Sequence, residues 1–243
     1  MKSRPGAPDG FFAAEAAGLR WLAEAAGGPP VPKVLGQDDE VLVLPWVAAG
    51  AQRGEAVEQL GRRLAALHAA GAPAFGAARP GWIGAAPLDN RPGDRWPEFY
   101  AERRVGPYVR ILRDRGELTP GQVDVFTRLA SRLEGVAGPA EPPARLHGDL
   151  WSGNVLWAAD GQAWLVDPAA HGGHRETDLA MLDLFGLPQL PRLLAAYEEV
   201  ALLTAGWRDR RALHQLHPLL VHAVLFPGGS YLSTALAAAA RYL

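Results

Sequence analysis

The chain contains no cysteine. That excludes disulfide staples, thiol nucleophiles and cysteine-ligated metals. It has no apolar run of the length that a membrane span requires. The alanine-rich stretch Ala235–Ala240 is short and reads as the end of a helix. An excess of charge of one sign is also missing: 24 Lys and Arg stand against 26 Asp and Glu, a formal net charge of −2. Both signs are mixed along the chain, so there is no electrostatic case for nucleic acid or a membrane surface as a partner. Met1-Lys2-Ser3-Arg4 leads into no apolar signal core, which sets a cytoplasmic location as the expectation. No internal repeat is visible. What is present is a 243-residue chain that is 49% hydrophobic. It is globular and long enough for one or two domains.

The N-terminal residues read as a small α/β piece. Phe12, Ala16, Leu19, Leu22 and Ala26 recur at helical spacing over residues 10–27, and Gly27-Gly28-Pro29-Pro30 stops that helix. Pro32 to Leu35 and Val41 to Leu44 then predict two strands around an Asp38-Asp39 turn. Pro45 to Gly50 reads as a linker. From Arg53 to His68, Val57, Leu60, Leu64 and Leu67 mark an amphipathic helix. Residues 71–94 are rich in Gly and Pro and predict an ordered loop. Helices follow at about 95–114 and 120–135. After a Gly/His-rich loop at 168–175 come helices near 176–185, 189–203, 208–225 and 230–242. This predicts an α+β chain: residues 1–47 as a small lobe, residues 48–243 as a larger, mostly helical one, and a cleft between them suited to a nucleotide.

One stretch carries chemistry. His147-Gly148-Asp149-Leu150-Trp151-Ser152-Gly153-Asn154 is followed thirteen residues later by Asp167. Phosphoryl transfer needs a group near the acceptor hydroxyl and oxygen ligands for the magnesium that bridges the nucleotide phosphates. Asp149 can accept a hydrogen bond from the hydroxyl. Asn154 and Asp167 offer a neutral and a charged oxygen to a hard cation. The order His-x-Asp-x-x-x-x-Asn then Asp matches a kinase catalytic loop, with Asp167-Pro168 where Asp-Phe-Gly is usual. Turn chemistry alone would also favour Gly, Asp, Asn and Ser here. The flanking runs Val155–Trp157 and Ala163–Val166 around Asp160-Gly161 argue for more: they predict a hairpin that brings Asn154 and Asp167 to one end.

With Val166-Asp167-Pro168-Ala169 and Gly173-His174-Arg175-Glu176-Thr177-Asp178-Leu179-Ala180-Met181, the chain resembles the fructosamine (ketosamine) kinase family along nearly its whole length. That family belongs to the wider aminoglycoside-phosphotransferase, protein-kinase-like fold. The resemblance implies ATP- and Mg²⁺-dependent phosphorylation of the sugar 3-hydroxyl of a ketosamine, small or protein-bound, in deglycation. It implies Asp149 as the catalytic aspartate and Asn154 and Asp167 as metal ligands. Lys2 resembles the lysine of the third N-lobe strand that contacts the α/β-phosphates, and Glu15 its ion-pair partner. Leu44, Trp46 and Val47 stand at the hinge and would meet the nucleotide through the main chain. Trp151, His174 and His222 are candidates for substrate contact. The two strands and phosphate-covering loop that the family carries ahead of this lysine have no counterpart in these residues. This predicts an open sheet edge and weakened turnover for the chain as it stands.

Other readings stay open at this point. A kinase-fold module could bind without turning over. An aminoglycoside or choline-type acceptor would keep the chemistry, and a polycationic acceptor would require an acidic pocket. His171, His174, His214, His217 and His222 suggest zinc, yet their spacing gives no two-His-plus-carboxylate set on one helix face.

Overall fold

Local rules account for the first elements of the computed structural model, which describes all 243 residues. Strand β1 (Lys2–Ser3) pairs antiparallel with β3 (Val41–Val43), and β2 (Gly36–Gln37) pairs with the other edge of β3. Between them helix α1 (Phe11–Ala23) follows Gly10, whose φ of 75° lets the chain turn into the helix. Phe12, Ala16 and Leu19 form the stripe that α1 buries against Leu42. Glu15 lies one turn from both Phe12 and Leu19, at the edge of that stripe, which aims it at β1.

The predicted strand at residues 32–35 is displaced: the ladder sits at Gly36–Gln37 instead. Pairing starts at the turn, where the Glu40 amide donates to the Asp38 carboxylate at 2.9 Å and the Asp38 amide to the Val41 carbonyl at 2.9 Å. Pro32 has no N–H to donate to a ladder, and only the Leu35 amide still reaches Val43. β1 is an edge of the order β1-β3-β2.

The linker is tied down. Ala49 bridges Ala158, and the Gly50 amide donates to the Trp157 carbonyl at 2.8 Å. Helix α2 (Gly54–Ala69) packs on α7 (Leu190–Glu198) in one apolar cluster. That cluster also takes in Leu22 and Ala25 from the end of α1, and Leu150, Val155 and Leu165 around the catalytic stretch. A second, larger cluster is built by α3 (Trp96–Phe99), α4 (Gly106–Asp114), α5 (Pro120–Val136), α8 (Trp207–Leu225) and α9 (Tyr231–Ala240). α5 opens with a reciprocal capping box between Thr119 and Gln122.

Three features differ from expectation. The loop at 71–94 contains a hairpin, β4 (Gly81–Ile83) with β5 (Ala86–Leu88). The loop at 168–175 contains β9 (His171–Gly173), paired with β6 (Ala144–Leu146). Neither has the apolar alternation that marks a strand. β9 is two-thirds glycine because another backbone crosses it: a Cβ on Gly172 would lie 2.0 Å from the Ala74 carbonyl. The predicted helix at 95–114 is α3 and α4 joined by a π-helical Tyr100–Val105.

Candidate active site

The hairpin β7 (Val155–Trp157) and β8 (Ala163–Leu165) turns at Asp160-Gly161, with Gly161 at φ 81°. The Val166 amide donates to the Asn154 carbonyl at 3.1 Å, so Asn154 and Asp167 emerge at the same end. The loop before the hairpin is clamped from beneath. Asp178, on helix α6 (Glu176–Leu184), accepts from the His147 amide at 2.8 Å and the Gly148 amide at 2.9 Å, and lies 3.3 Å from His68 Nε2. Burial would raise the Asp178 pKa; the bond and charge of His68, with the Gly148 amide, outweigh it and the pKa is lowered. His147 is buried and bonds Val166 O through Nε2 at 2.9 Å, while its Nδ1 accepts from the Asp149 amide. It therefore holds the loop. Gly148 has φ 81°, and a Cβ there would lie 2.2 Å from the Ala169 carbonyl.

Above this clamp the reactive groups converge. Asn154 Nδ2 donates to Asp149 twice, to its carbonyl at 2.8 Å and to Oδ2 at 3.2 Å. Its Oδ1 is left free. Burial, helped by the charges of Asp167 and Asp178 against the bond from Asn154, pushes the Asp149 carboxyl up to about 7. Asp167 sits at φ 56°, a left-handed conformation uncommon for a non-glycine residue. Lys2 Nζ bonds Glu15 at 2.7 Å and also contacts the Asp167 carboxylate. Burial would lower the Lys2 pKa, but Glu15 and Asp167 raise it. Asn154 Oδ1 and the Asp167 carboxylate form an all-oxygen donor pair, which suits Mg²⁺ retaining its own waters.

These residues open on one cavity of about 810 Å³, lined by Lys2, Glu15, Asp149, Trp151, Asn154 and Asp167. Phe11 and Trp21 of α1 and Trp82 of β4 supply much of its apolar wall. Trp151 is 40% exposed and its indole lies over Gly153, where a Cβ would meet the ring at 2.2 Å.

The other predicted site residues lie elsewhere. Leu44, Trp46 and Val47 stand outside the cavity on the linker, with Trp46 91% exposed. His222 is outside it too. It donates from Nδ1 to the Pro218 carbonyl at 2.8 Å and packs on Phe185, Phe226 and Tyr231. Phe185 in turn contacts Trp151, so an aromatic chain joins His222 to the catalytic loop.

His174 does not reach the cleft, contrary to its reading as a substrate contact. Pairing of β9 with β6 carries it inward, where it is 3% exposed and stacked among Trp96 and His214. Arg175 ties to the Glu141 carboxylate with two bonds of 2.7 Å. Folding does bring ligand atoms of His174, Glu176 and His214 within 4.8 Å of one another, a grouping from two segments that spacing on one helix could not reveal. Both Glu176 oxygens are already engaged by the Arg210 guanidinium, at 3.0 and 2.5 Å.

One residue escaped the sequence reading as part of the site: Asp178, whose one signal was its place in the Gly-His-Arg-Glu-x-Asp motif.

Comparison with known proteins agrees with this geometry. The fructosamine kinase family profile matches residues 1–243. An Enterococcus faecium protein named as a ketoamine kinase is 34% identical over 95% of this chain and 82% of its own length. The Arabidopsis thaliana chloroplastic protein-ribulosamine 3-kinase is 32% identical over 96% of this chain and 72% of its own. A Thermobifida fusca crystal structure assigned as a fructosamine-3-kinase superposes with a TM-score of 0.93 at 54% identity, covering 99% of this chain and 83% of that one. An ADP-bound aminoglycoside phosphotransferase shares the fold alone, with a TM-score of 0.63 at 12% identity over 96% of this chain and 83% of that one.

Proposed function

The chain belongs to the fructosamine kinase family, phosphotransferases with an alcohol acceptor, and we propose that it transfers the γ-phosphoryl group of ATP to the 3-hydroxyl of a ketosamine. The convergence of Asp149, Asn154, Asp167, Lys2 and Glu15 on one cavity carries this reading. Asp149 orients the acceptor hydroxyl and takes its proton as the new oxygen–phosphorus bond forms and the bond to the β-phosphate oxygen breaks. Asn154 Oδ1 and Asp167 would hold Mg²⁺, which would supply positive charge to the phosphates. Lys2, fixed by Glu15, contacts the α/β-phosphates. The base would meet the chain through the main-chain groups of Leu44, Trp46 and Val47, between the small sheet and the larger lobe.

The cavity also bears on the acceptor. Beyond Glu15, Asp149 and Asp167, its charged lining is cationic: Lys2, Arg4 and Arg79. A polycationic aminoglycoside would meet no additional carboxylate there. A sugar with a single amine is better matched, and Trp151 offers its ring an aromatic face. The substrate is then a fructosamine or ribulosamine, small or carried on a protein lysine, and its phosphorylation serves deglycation. No helix is long and apolar enough to cross a membrane.

The test is a panel of ketosamines, aminoglycosides and choline with labelled ATP, run with and without Mg²⁺ and repeated with Asp167→Ala. Transfer to ketosamines that requires Mg²⁺ and Asp167 is expected. Transfer confined to aminoglycosides or choline overturns the acceptor, and transfer to nothing on the panel overturns the catalytic reading in favour of a binding module.

A further inference from the structure

One wall of the cavity contains a polar side chain that the chemistry above does not use. Asn90 is 4% exposed and lines the cavity. Its Oδ1 accepts a 2.8 Å bond from Nη2 of Arg104. A guanidinium has no acceptor, so this bond fixes the orientation of the amide: oxygen toward Arg104, nitrogen away from it. The two N–H groups of Asn90 Nδ2 have no partner in the protein. Nδ2 points toward Gly81, another cavity residue, where a Cβ would lie only 2.7 Å away. Glycine at 81 thus leaves open the space in front of two donors that reach the cavity and are free to meet an oxygen of a bound ligand.

The arrangement is rigid. Arg104 is 2% exposed, sits in the π-helical stretch and lies 4.5 Å over the Phe99 ring. A π-helical insertion of this kind often marks a functional site. Arg104 also donates to the Asp89 carbonyl. The Asn90 carbonyl accepts from the Ala77 amide at 2.9 Å, and neighbouring Gly76 exchanges bonds of 2.7 and 2.8 Å with Gly172 of β9. The wall is therefore fastened to the strand that follows Asp167. It shares the cavity with Pro168, Ala169 and Ala170, the residues between Asp167 and that strand.

We infer that Asn90 is an acceptor-binding residue, donating from Nδ2 to a hydroxyl or carbonyl oxygen of the sugar, with Arg104 as the positioning residue that aims it. The inference rests on the proposed kinase reading and adds a specificity contact to it. A ligand group that can only donate has no place at this position.

Asn90→Asp tests it with little change of shape. The carboxylate keeps the bond to Arg104 and gives that buried guanidinium a counter-ion, but replaces the free donor by an acceptor. Expected are an unchanged or higher Tm, an acceptor KM raised about tenfold or more, and an ATP KM unchanged. Gly81→Ala, which crowds Nδ2 without touching Arg104, should raise the acceptor KM in the same way. A series of deoxy-ketosamines supplies the second readout. One analogue should lose affinity for the wild type yet bind the Asn90→Asp enzyme no worse than the parent sugar does. An unchanged acceptor KM in Asn90→Asp, or equal rises for acceptor and ATP, overturns the inference while the wild type still transfers to ketosamines. A wild type that transfers to no ketosamine overturns the kinase reading, and the inference with it.

Discussion

Two polar clusters sit on opposite sides of the catalytic loop, and they differ in how they are satisfied. In the cleft, Asp149, Asn154 and Asp167 hold few bonds among themselves, and free oxygens face the cavity. Behind β9, Glu176 is saturated by Arg210 and approached by His214 and Thr204, and His174 is closed in by aromatic rings. Both clusters are made of residues that look catalytic in the sequence. The first has a charge to offer a ligand. The second has spent its charge on the protein, and its work is to hold β9 and α6 where the first cluster needs them. Asp178 bridges the two, since it stands on α6 and clamps the loop that carries Asp149.

If that contrast is right, the clusters respond to mutation in different currencies. Asp149→Asn keeps the shape of the cleft and removes the group that takes the proton. Turnover should fall roughly 10³-fold with Tm within error of the wild type. A loss of only a few-fold would remove Asp149 from the chemistry. Asp178→Ala should do the reverse to stability, costing about 3 kcal/mol because two buried amides and His68 lose their acceptor. Urea denaturation measures this, and an unchanged midpoint would mean that the clamp contributes nothing to the fold.

A further effect is spread over pH. Burial holds His171 and His174 down to about 3, and His214 and His217 are also lowered by burial. Once unfolded, each titrates near its ordinary value of about 6.5. Below that pH the unfolded chain binds protons that the folded chain refuses, so stability falls as pH drops from about 6.5 toward about 3. Each imidazole adds a slope of about 1.4 kcal/mol per pH unit in that window. Denaturant midpoints at about pH 7, 6 and 5 should decline in order, and His174→Asn should flatten the decline. A flat wild-type profile would mean that these histidines are not held neutral by the fold.

The hairpin that presents Asn154 and Asp167 was legible in the sequence because its strands are short apolar runs and its turn has the Asp-Gly signature. The Lys2–Glu15 pairing followed from family resemblance, since no local rule connects residues thirteen apart. Strand β9 was hidden because glycine has no side chain to announce a buried face; its reason for being glycine is the neighbouring Ala74 backbone, which only the fold brings there. His174 was misread for the same cause, because its direction is set by the pairing of β9 with β6. Asn90 and Arg104 lay in a segment read as loop and in a helix read as regular, and neither has a spacing signature.

One feature of α1 has a mechanical consequence. Its far end is rooted in the apolar cluster of α2 and α7 through Leu22, with Ala25 just beyond it, and Arg145 both bonds the Trp21 carbonyl at 2.6 Å and stacks on its ring. The near end, with Glu15, rests on the small sheet. The helix is thus a lever with its fulcrum at Ala23, and Glu15 stands eight residues up the arm, about 12 Å at the α-helical rise. A tilt of about 10° at the fulcrum would carry Glu15 about 2 Å. The Lys2–Glu15 contact spans 2.7 Å. Because Phe12, Ala16 and Leu19 also fasten α1 to Leu42 of the sheet that carries Lys2, the ion pair holds only while helix and sheet stay in register.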